Sequence, residues 1–467
     1  MGFVLGVIYL LTYYLTPTTL FGPLAPFRIE LIIAALILLV SIPALMQSFM
    51  LRTPQLLALV GLATATFMSV LIGGHWAGGA VQGFLAFIPS VFAFFVVCLH
   101  CKSKRQLQVL VLMLLFVCLF VIGRGYFDLR HVVSAAASPI SGATVNAPTS
   151  SRATGSPYLM AQQSDAREWF YRLNGLGQIN DPNDFAQLIV CVIPLLFIFW
   201  RPKSTLRNMA FVILPACALG FGAYLTHSRG FILSFLAMTF VAARRRIGTL
   251  PALVVAGVLF AGASALHFSG GRDISADSGS DRTALWGEGL QAFKTHPLFG
   301  VGLGMMGDYT DNAHTAHNSI VVCAAELGLF GLYFWSAFLF PTLRDVLVIS
   351  SPAKVSEGEP VVAEEVPFPH APMRADAIDK AEINNLGQLL LLSLTGLLVA
   401  GWFLSRAFVL ALFLLGGMTE VVYQMALQRG MVGPRLGLAR VLVYAAGFAI
   451  SMLIVVYIML LILNRMQ

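Results

Sequence analysis

The stretch "DNAHTAHNSIVVCAAELGLFGLYFW", residues 311–335, changes character at Ser319. Up to that point it is polar and carries His314, His317 and Asn318; beyond it, the only charge in the apolar run to Trp335 is Glu326. A helix needs about 20 mostly apolar residues to cross a bilayer. The stretch therefore reads as a membrane span with a polar mouth.

Working outward, the same pattern repeats along the chain. Apolar runs of spanning length lie near 2–20, 29–47, 53–73, 79–101, 106–123, 182–200, 206–226, 230–243, 248–267, 317–341, 387–404, 407–427 and 439–463. The run at 230–243 is short, and only Ser405 and Arg406 part 387–404 from 407–427, so the count is 12 or 13. Composition agrees: 58% of the 467 residues are hydrophobic and 11% are charged, with a mean hydropathy of +0.82, which excludes an ordinary soluble domain. An all-α, polytopic membrane protein is expected. The first run, from Gly2, has neither a preceding cation nor a small-residue cleavage site, so it reads as a retained span.

The net charge of +7 does not mark nucleic-acid binding, because the cations sit in short clusters between apolar runs rather than along one face. They read as topology signals. With the N-terminus inside, "KSKR" at 102–105 and Arg244 to Arg246 face the cytoplasm, as the inside bias of short loops requires. The chain then divides into N-terminal helices over 1–123, an outer loop over 124–181, a core over 182–341 with its own outer loop at 268–316, a cytoplasmic linker over 342–386, and C-terminal helices over 387–467. "SAAASPISGATVNAPTSSRATGSP" makes the first outer loop flexible, and the linker is rich in Pro and Glu. Cys98 and Cys101 form a C-x-x-C that reads as two small hydrophobes at a helix end, and the polar loops hold no cysteine.

Cations on the outer side run against that bias, so each needs a reason to be there. Arg229, in "LTHSRGFIL", stands at an outer mouth between two spans. It reads either as a snorkelling rim residue or as a clamp for an anion, since guanidinium offers a planar fork matched to phosphate oxygens. In "DRTALWGEGLQAFKTHPLFGVGLG", Arg282, Trp286, Gly289 and Phe293 fall on one face of a helix starting near Asp281, flanked by Leu285 and Leu290. A helix in the membrane interface is expected there. Arg282 is either its solvated end charge or a partner of Arg229.

The following Gly302-x-Gly304-x-x-Gly307 matches a dinucleotide fingerprint in letters only, because no βαβ unit surrounds it. A tight re-entry turn is the better reading, with its backbone N–H groups available to an anion. His317 is either a structural residue at a helix mouth or a base, since a neutral imidazole accepts a proton near pH 7. Metal ligation by His314 and His317, aided by Asp308 or Asp311, needs His314 on the helix, whereas it precedes it; no metal is assigned. Glu326 and Glu420 fall at membrane depth and should be paired or line a cavity.

Together, "SRGFIL", the R-x-x-x-W helix of Arg282 and Trp286, "HPLFGVGLG" and "AHNSIVVCAAELGLFGL", in that order, resemble the signature of the O-antigen ligase and polymerase superfamily. The resemblance extends from about 222 to 335, and "GQINDPNDFAQLIV" at 177–190 is similar to the family's upstream Asn-containing helix start, which adds Asn183. It implies a GT-C-like membrane glycosyltransferase of the bacterial inner membrane, with its active site facing the periplasm. The donor would be an undecaprenyl-diphosphate-linked glycan and the acceptor the lipid A core of lipopolysaccharide, another lipid-linked glycan, or a protein. The implied reaction is inverting, independent of metal and without a cofactor. Arg229 and Arg282 would hold the diphosphate, and His317 would be the base. Asn318, His314, Trp286 and Asn183 would support them, Asn318 by capping the helix or orienting His317.

Two rivals remain. A polysaccharide or lipid-carrier transporter would also have many spans and buried acids such as Glu326 and Glu420, but transporters gather ionisable groups at the midplane and often show repeats, and no repeat is visible here. An outer carboxylate could serve as base instead of His317, with Asp273, Asp277, Asp281, Glu288, Asp308 and Asp311 available. Beyond the glycan donor, the acceptor and membrane lipids, no partner is expected, and no nucleic acid.

Overall fold

The computed structural model describes residues 1–27, 29–47, 53–137, 156–163, 169–266, 268, 277–311, 314–351, 377–433 and 435–466. The principal helices are α1 (Gly2–Leu15), α2 (Ile29–Gln47), α3 (Pro54–Met68), α4 (Ala77–His100), α5 (Lys104–Ala137), α6 (Pro182–Leu195), α7 (Leu214–Thr226), α8 (Arg229–Ile247), α9 (Thr249–Ala265), α10 (Asp277–Thr295), α11 (Ser319–Ser350), α12 (Ala377–Gly401), α13 (Leu410–Gln428) and α14 (Leu438–Met466). Among the described residues nine helices are long and apolar enough to cross a membrane, and three more, α1, α2 and α9, are apolar but shorter. The protein is an all-α polytopic membrane protein. The thirteenth expected run is α8, which ends on Arg244, Arg245 and Arg246.

α11 is the centre. It packs on α3, α10, α12, α13 and α14, and an aromatic cluster locks it to α4 and α13: Phe338 lies 5.6 Å from Phe94 and 5.3 Å from Phe413. Such ring contacts add about 0.5–1.5 kcal/mol each beyond area burial. The span Leu410–Gln428 is 89% buried, whereas Leu438–Arg465 is 11% buried, so α13 is interior and α14 offers most of its surface to lipid.

Two segments depart from expectation. The run expected to end at 123 continues as helix to Ala137, because helix length is set by the backbone pattern and not by bilayer thickness; no proline interrupts 104–137. Past it, in the outer loop expected to be flexible, β1 (Leu159–Gln163) pairs antiparallel with β2 (Trp169–Leu173), Met160 opposite Arg172. Residues 138–155 of that loop lie outside the described residues. The linker expected over 342–386 is shorter than its assigned bounds, since α11 runs on to Ser350 and α12 begins at Ala377; residues 352–376 are outside the described ones. The six cysteines are free.

Candidate active site

Three helices begin at this site, each with a capping side chain. Asp181 accepts the Asn183 N–H at 2.8 Å with Pro182 at the first turn of α6. Ser228 accepts the Phe231 N–H at 3.4 Å at the start of α8. Asn318 Oδ1 takes the N–H groups of Ile320 (2.9 Å) and Val321 (3.1 Å) at the start of α11. Each cap satisfies orphan donors of a first turn. Asn318 is thus a cap, and its Nδ2 donates to the Trp402 carbonyl at 3.2 Å.

Asn183, Arg229, Gly230 and Arg282 line one pocket of about 360 Å³ with Phe403 and Leu404. Two helix N-termini, of α6 and α8, are therefore in its wall, and each carries the equivalent of roughly half a positive charge. Burial pushes the Arg282 pKa down, and the neighbouring Arg229 pushes it further. Two guanidiniums that repel one another in a shared pocket favour an anion between them.

His317 stands beside this wall, not in it. Its backbone adopts a left-handed φ of 48°, a conformation that costs a non-glycine residue roughly 1–2 kcal/mol, and its N–H donates to Ser405 Oγ at 2.8 Å. The Thr315 and Ser405 hydroxyls are 2.5 Å apart, and Ser319 Oγ donates to the Leu404 carbonyl at 2.8 Å. The turn after α12 thus clamps residues 315–319. Burial lowers the His317 pKa first, Arg282 lowers it next and His314 adds to this, while Asp181 opposes them. The imidazole is accordingly neutral at pH 7 and able to take a proton.

α10 brings Arg282 here by packing on α11. Its predicted face is real: Trp286 is buried, and Gly289 approaches so closely that an added Cβ would stand 2.6 Å from Val321. The Trp286 ring meets Trp402 edge-on, 5.9 Å between centroids. Beyond α10 the chain re-enters beside an opened turn of α11: Val301 and Gly302 N–H groups donate to the Ala325 and Glu326 carbonyls, and Leu329 and Phe330 return bonds to Pro297 and Leu298. Gly300 and Gly328 permit it, both at positive φ and each with its partner's backbone where a Cβ would be. The Glu326 carboxylate receives the Gly304 and Met306 N–H groups, so the buried acid ties the glycine-rich segment to α11.

Residues 211–336 match the family described as O-antigen ligase. That stretch resembles an O-antigen ligase domain. The match supports a membrane glycosyltransferase of the O-antigen ligase or polymerase type. No curated protein matches the chain.

The matched stretch holds Arg229, Arg282 and His317, but the pocket is finished from outside it. Asn183 comes from α6, Phe403 and Leu404 from the turn after α12. Sequence reading missed Ser405 and Arg406 as more than a break between spans; Arg406 pairs with buried Asp184 of α6, bracing that turn. It also missed Asp181 and the buried Arg172 of β2, which donates to Asn183 Oδ1 at 2.9 Å. A polar pair interrupting two apolar runs was the available signal for Arg406.

Other candidates stand elsewhere. His314 is exposed, and its carbonyl accepts Thr310 Oγ1 at 2.8 Å. Asp308 and Asp311 are exposed, and neither they nor Glu288 line the pocket. Asp273 lies outside the described residues, and Asp277 and Asp281 belong to the first turns of α10. Glu420 pairs with Arg435, as a buried acid should.

Proposed function

We propose that the protein transfers a glycan from undecaprenyl diphosphate to an acceptor hydroxyl on the outer side of the inner membrane, as a ligase with lipid A core as acceptor. The observation that carries this is the convergence of Arg229 and Arg282, from helices far apart in sequence, on one pocket with Asn183, beside a neutral imidazole. A second, largely apolar pocket of about 640 Å³ runs between α11, α12, α13 and α14, and Trp402 and Ser319 in its lining also belong to the segments that clamp His317. A polar head and an isoprenoid chain fit such a pairing of pockets.

In this reading His317 removes the acceptor proton while the acceptor oxygen attacks the anomeric carbon. The bond from that carbon to the diphosphate oxygen breaks with inversion, and Arg229 and Arg282 take up the charge that develops on the leaving group. The imidazolium then releases its proton to solvent or to the departing diphosphate. Because the diphosphate is already a good leaving group, two fixed guanidiniums supply what a metal would otherwise supply. The GT-C-like arrangement has the acceptor arriving from the periplasm and the donor from the bilayer.

The transporter reading is weaker, since the acids it would use are engaged: Glu326 with backbone N–H groups and Glu420 with Arg435. The deciding experiment supplies purified protein with a lipid-diphosphate glycan and either lipid A core or a second carrier-linked unit, with and without a chelator. A single transfer to lipid A core that survives chelation is expected. A ladder of lengthening lipid-linked chains replaces ligase by polymerase, and glycan or lipid movement in liposomes without any linked product abandons the enzyme reading.

A further inference from the structure

We propose that Arg172 is a positioning residue of the anion pocket, setting the polarity of Asn183 and fixing the turn that presents Arg229. It rests on the reading of that pocket as the diphosphate site. Arg172 is 3% exposed and belongs to the hairpin, a part of the chain outside the stretch that matches the O-antigen ligase family. Its guanidinium spreads three donors over three elements: Nη2 to Asn183 Oδ1 at 2.9 Å, Nε to the Thr226 carbonyl at 2.7 Å and Nη1 to Gln162 Oε1 at 2.7 Å. Thr226 is the last residue of α7; His227 at φ 48° and the capping Ser228 follow, and then Arg229. One planar group therefore links the start of α6, the approach to α8 and β1.

The consequence for chemistry lies in the amide. Asn183 has an acceptor end and a donor end, and a guanidinium can only donate, so Arg172 requires the oxygen to face it. The NH₂ end is what remains to meet an anion in the pocket that Asn183 lines. Without Arg172 the amide could turn its oxygen toward the diphosphate, replacing a donor by a repelling dipole. A lysine cannot substitute, because an ammonium is a point charge that does not span three acceptors in fixed directions.

The test uses full-length protein in lipid nanodiscs, a lipid-diphosphate glycan as donor, and inorganic pyrophosphate as a competing probe. Arg172→Lys and Asn183→Ala should each raise the donor KM and the pyrophosphate inhibition constant roughly tenfold, with kcat changed much less, as loss of a charge-assisted contact common to ground and transition states requires. The double variant should be no worse than the poorer single one. A lowered kcat at unchanged KM, or effects that multiply, is the pattern of a merely structural hairpin and overturns the proposal. Should Arg172→Lys fail to fold, Asn183→Asp keeps the bond to Arg172 while turning a carboxylate into the pocket; pyrophosphate inhibition should vanish with thermal stability retained, and an unchanged inhibition constant overturns the proposal. Arg229→Lys separates the two levels. If it too leaves pyrophosphate inhibition unchanged, the anion-pocket reading falls and this one with it; if it weakens inhibition while Arg172→Lys and Asn183→Ala do not, only the role of Arg172 is lost.

Discussion

The two ends of α11 hold half-buried arginines in opposite ways. At its start, Arg282 shares a pocket with a second guanidinium, and burial and that neighbour both push its pKa down. Toward its far end, on the order of 40 Å away at helical rise, Arg435 sits over the Tyr423 ring at 4.8 Å and pairs with Glu420 and with Asp345 at 3.8 Å. Burial pulls Arg435 down, but the two carboxylates outweigh it and its pKa ends raised. Charge answered from within belongs to structure. In the proposed function, charge that shares a pocket with its like receives the diphosphate, and the contrast can be broken by substitution.

The largest effect is expected at His317. His317→Ala should lower transfer by about a thousandfold, the scale of general base catalysis, in protein that still inserts and melts as the wild type does. Its Asn318 neighbour keeps the helix capped, so the loss should be chemical. Wild-type turnover would take the imidazole out of the mechanism.

Next come the arginines at both ends. Arg229→Lys and Arg282→Lys should each cost about a hundredfold in kcat/KM, since a point charge loses the bidentate fit to phosphate oxygens. Arg435→Gln should do the reverse: about 3–5 kcal/mol of stability lost, because buried Glu420 loses its ion-pair partner, with transfer per folded molecule unchanged. If Arg435→Gln instead impairs transfer in well-folded protein, the two ends do not differ as described. Glu326→Gln lies between. It keeps one oxygen for the Gly304 and Met306 N–H groups but puts an NH₂ in place of the other, so roughly a fivefold loss of activity is expected as α10 and Arg282 loosen; an intact rate would mean that the glycine pairing around Gly300 and Gly328 holds the segment alone.

What could be read from residues alone follows this division. The spans were legible because apolar runs declare themselves; Arg229 and His317 were legible as candidates because each stands at the mouth of such a run, and Arg282 because it shares a helical face with Trp286. The helix α10 was half legible: periodicity put Trp286 and Gly289 on one face, but only the close approach to Val321 shows that this face lies against α11. Arg172 and the turn at 402–406 were opaque. Their meaning is in contacts, of Arg172 with Asn183 11 positions on and of the turn with residues 315–319, and no local pattern encodes such partners, the Trp402 carbonyl under Asn318 lying 84 positions away. The hairpin hid beside a low-complexity tract, although its alternation leaves Leu159 and Ala161 buried at 3% and 1%.

The smallest effect is the sharpest test of the pocket's electrostatics. As a base His317 must be neutral, so kcat/KM should fall as pH drops through a pKa below the usual imidazole value of about 6.5, lowered by burial and then by Arg282. Asp181 is the opposing influence. Asp181→Asn retains a side-chain oxygen to cap α6 but removes the negative charge, so the imidazole should protonate less readily and the acid limb should move further down, by less than about one pH unit. Activity at pH 5.5 or so would then rise relative to the plateau rather than fall. An upward shift would mean that Asp181 does not act on His317 through its charge, and a profile without an acid limb would return the role of base to an outer carboxylate.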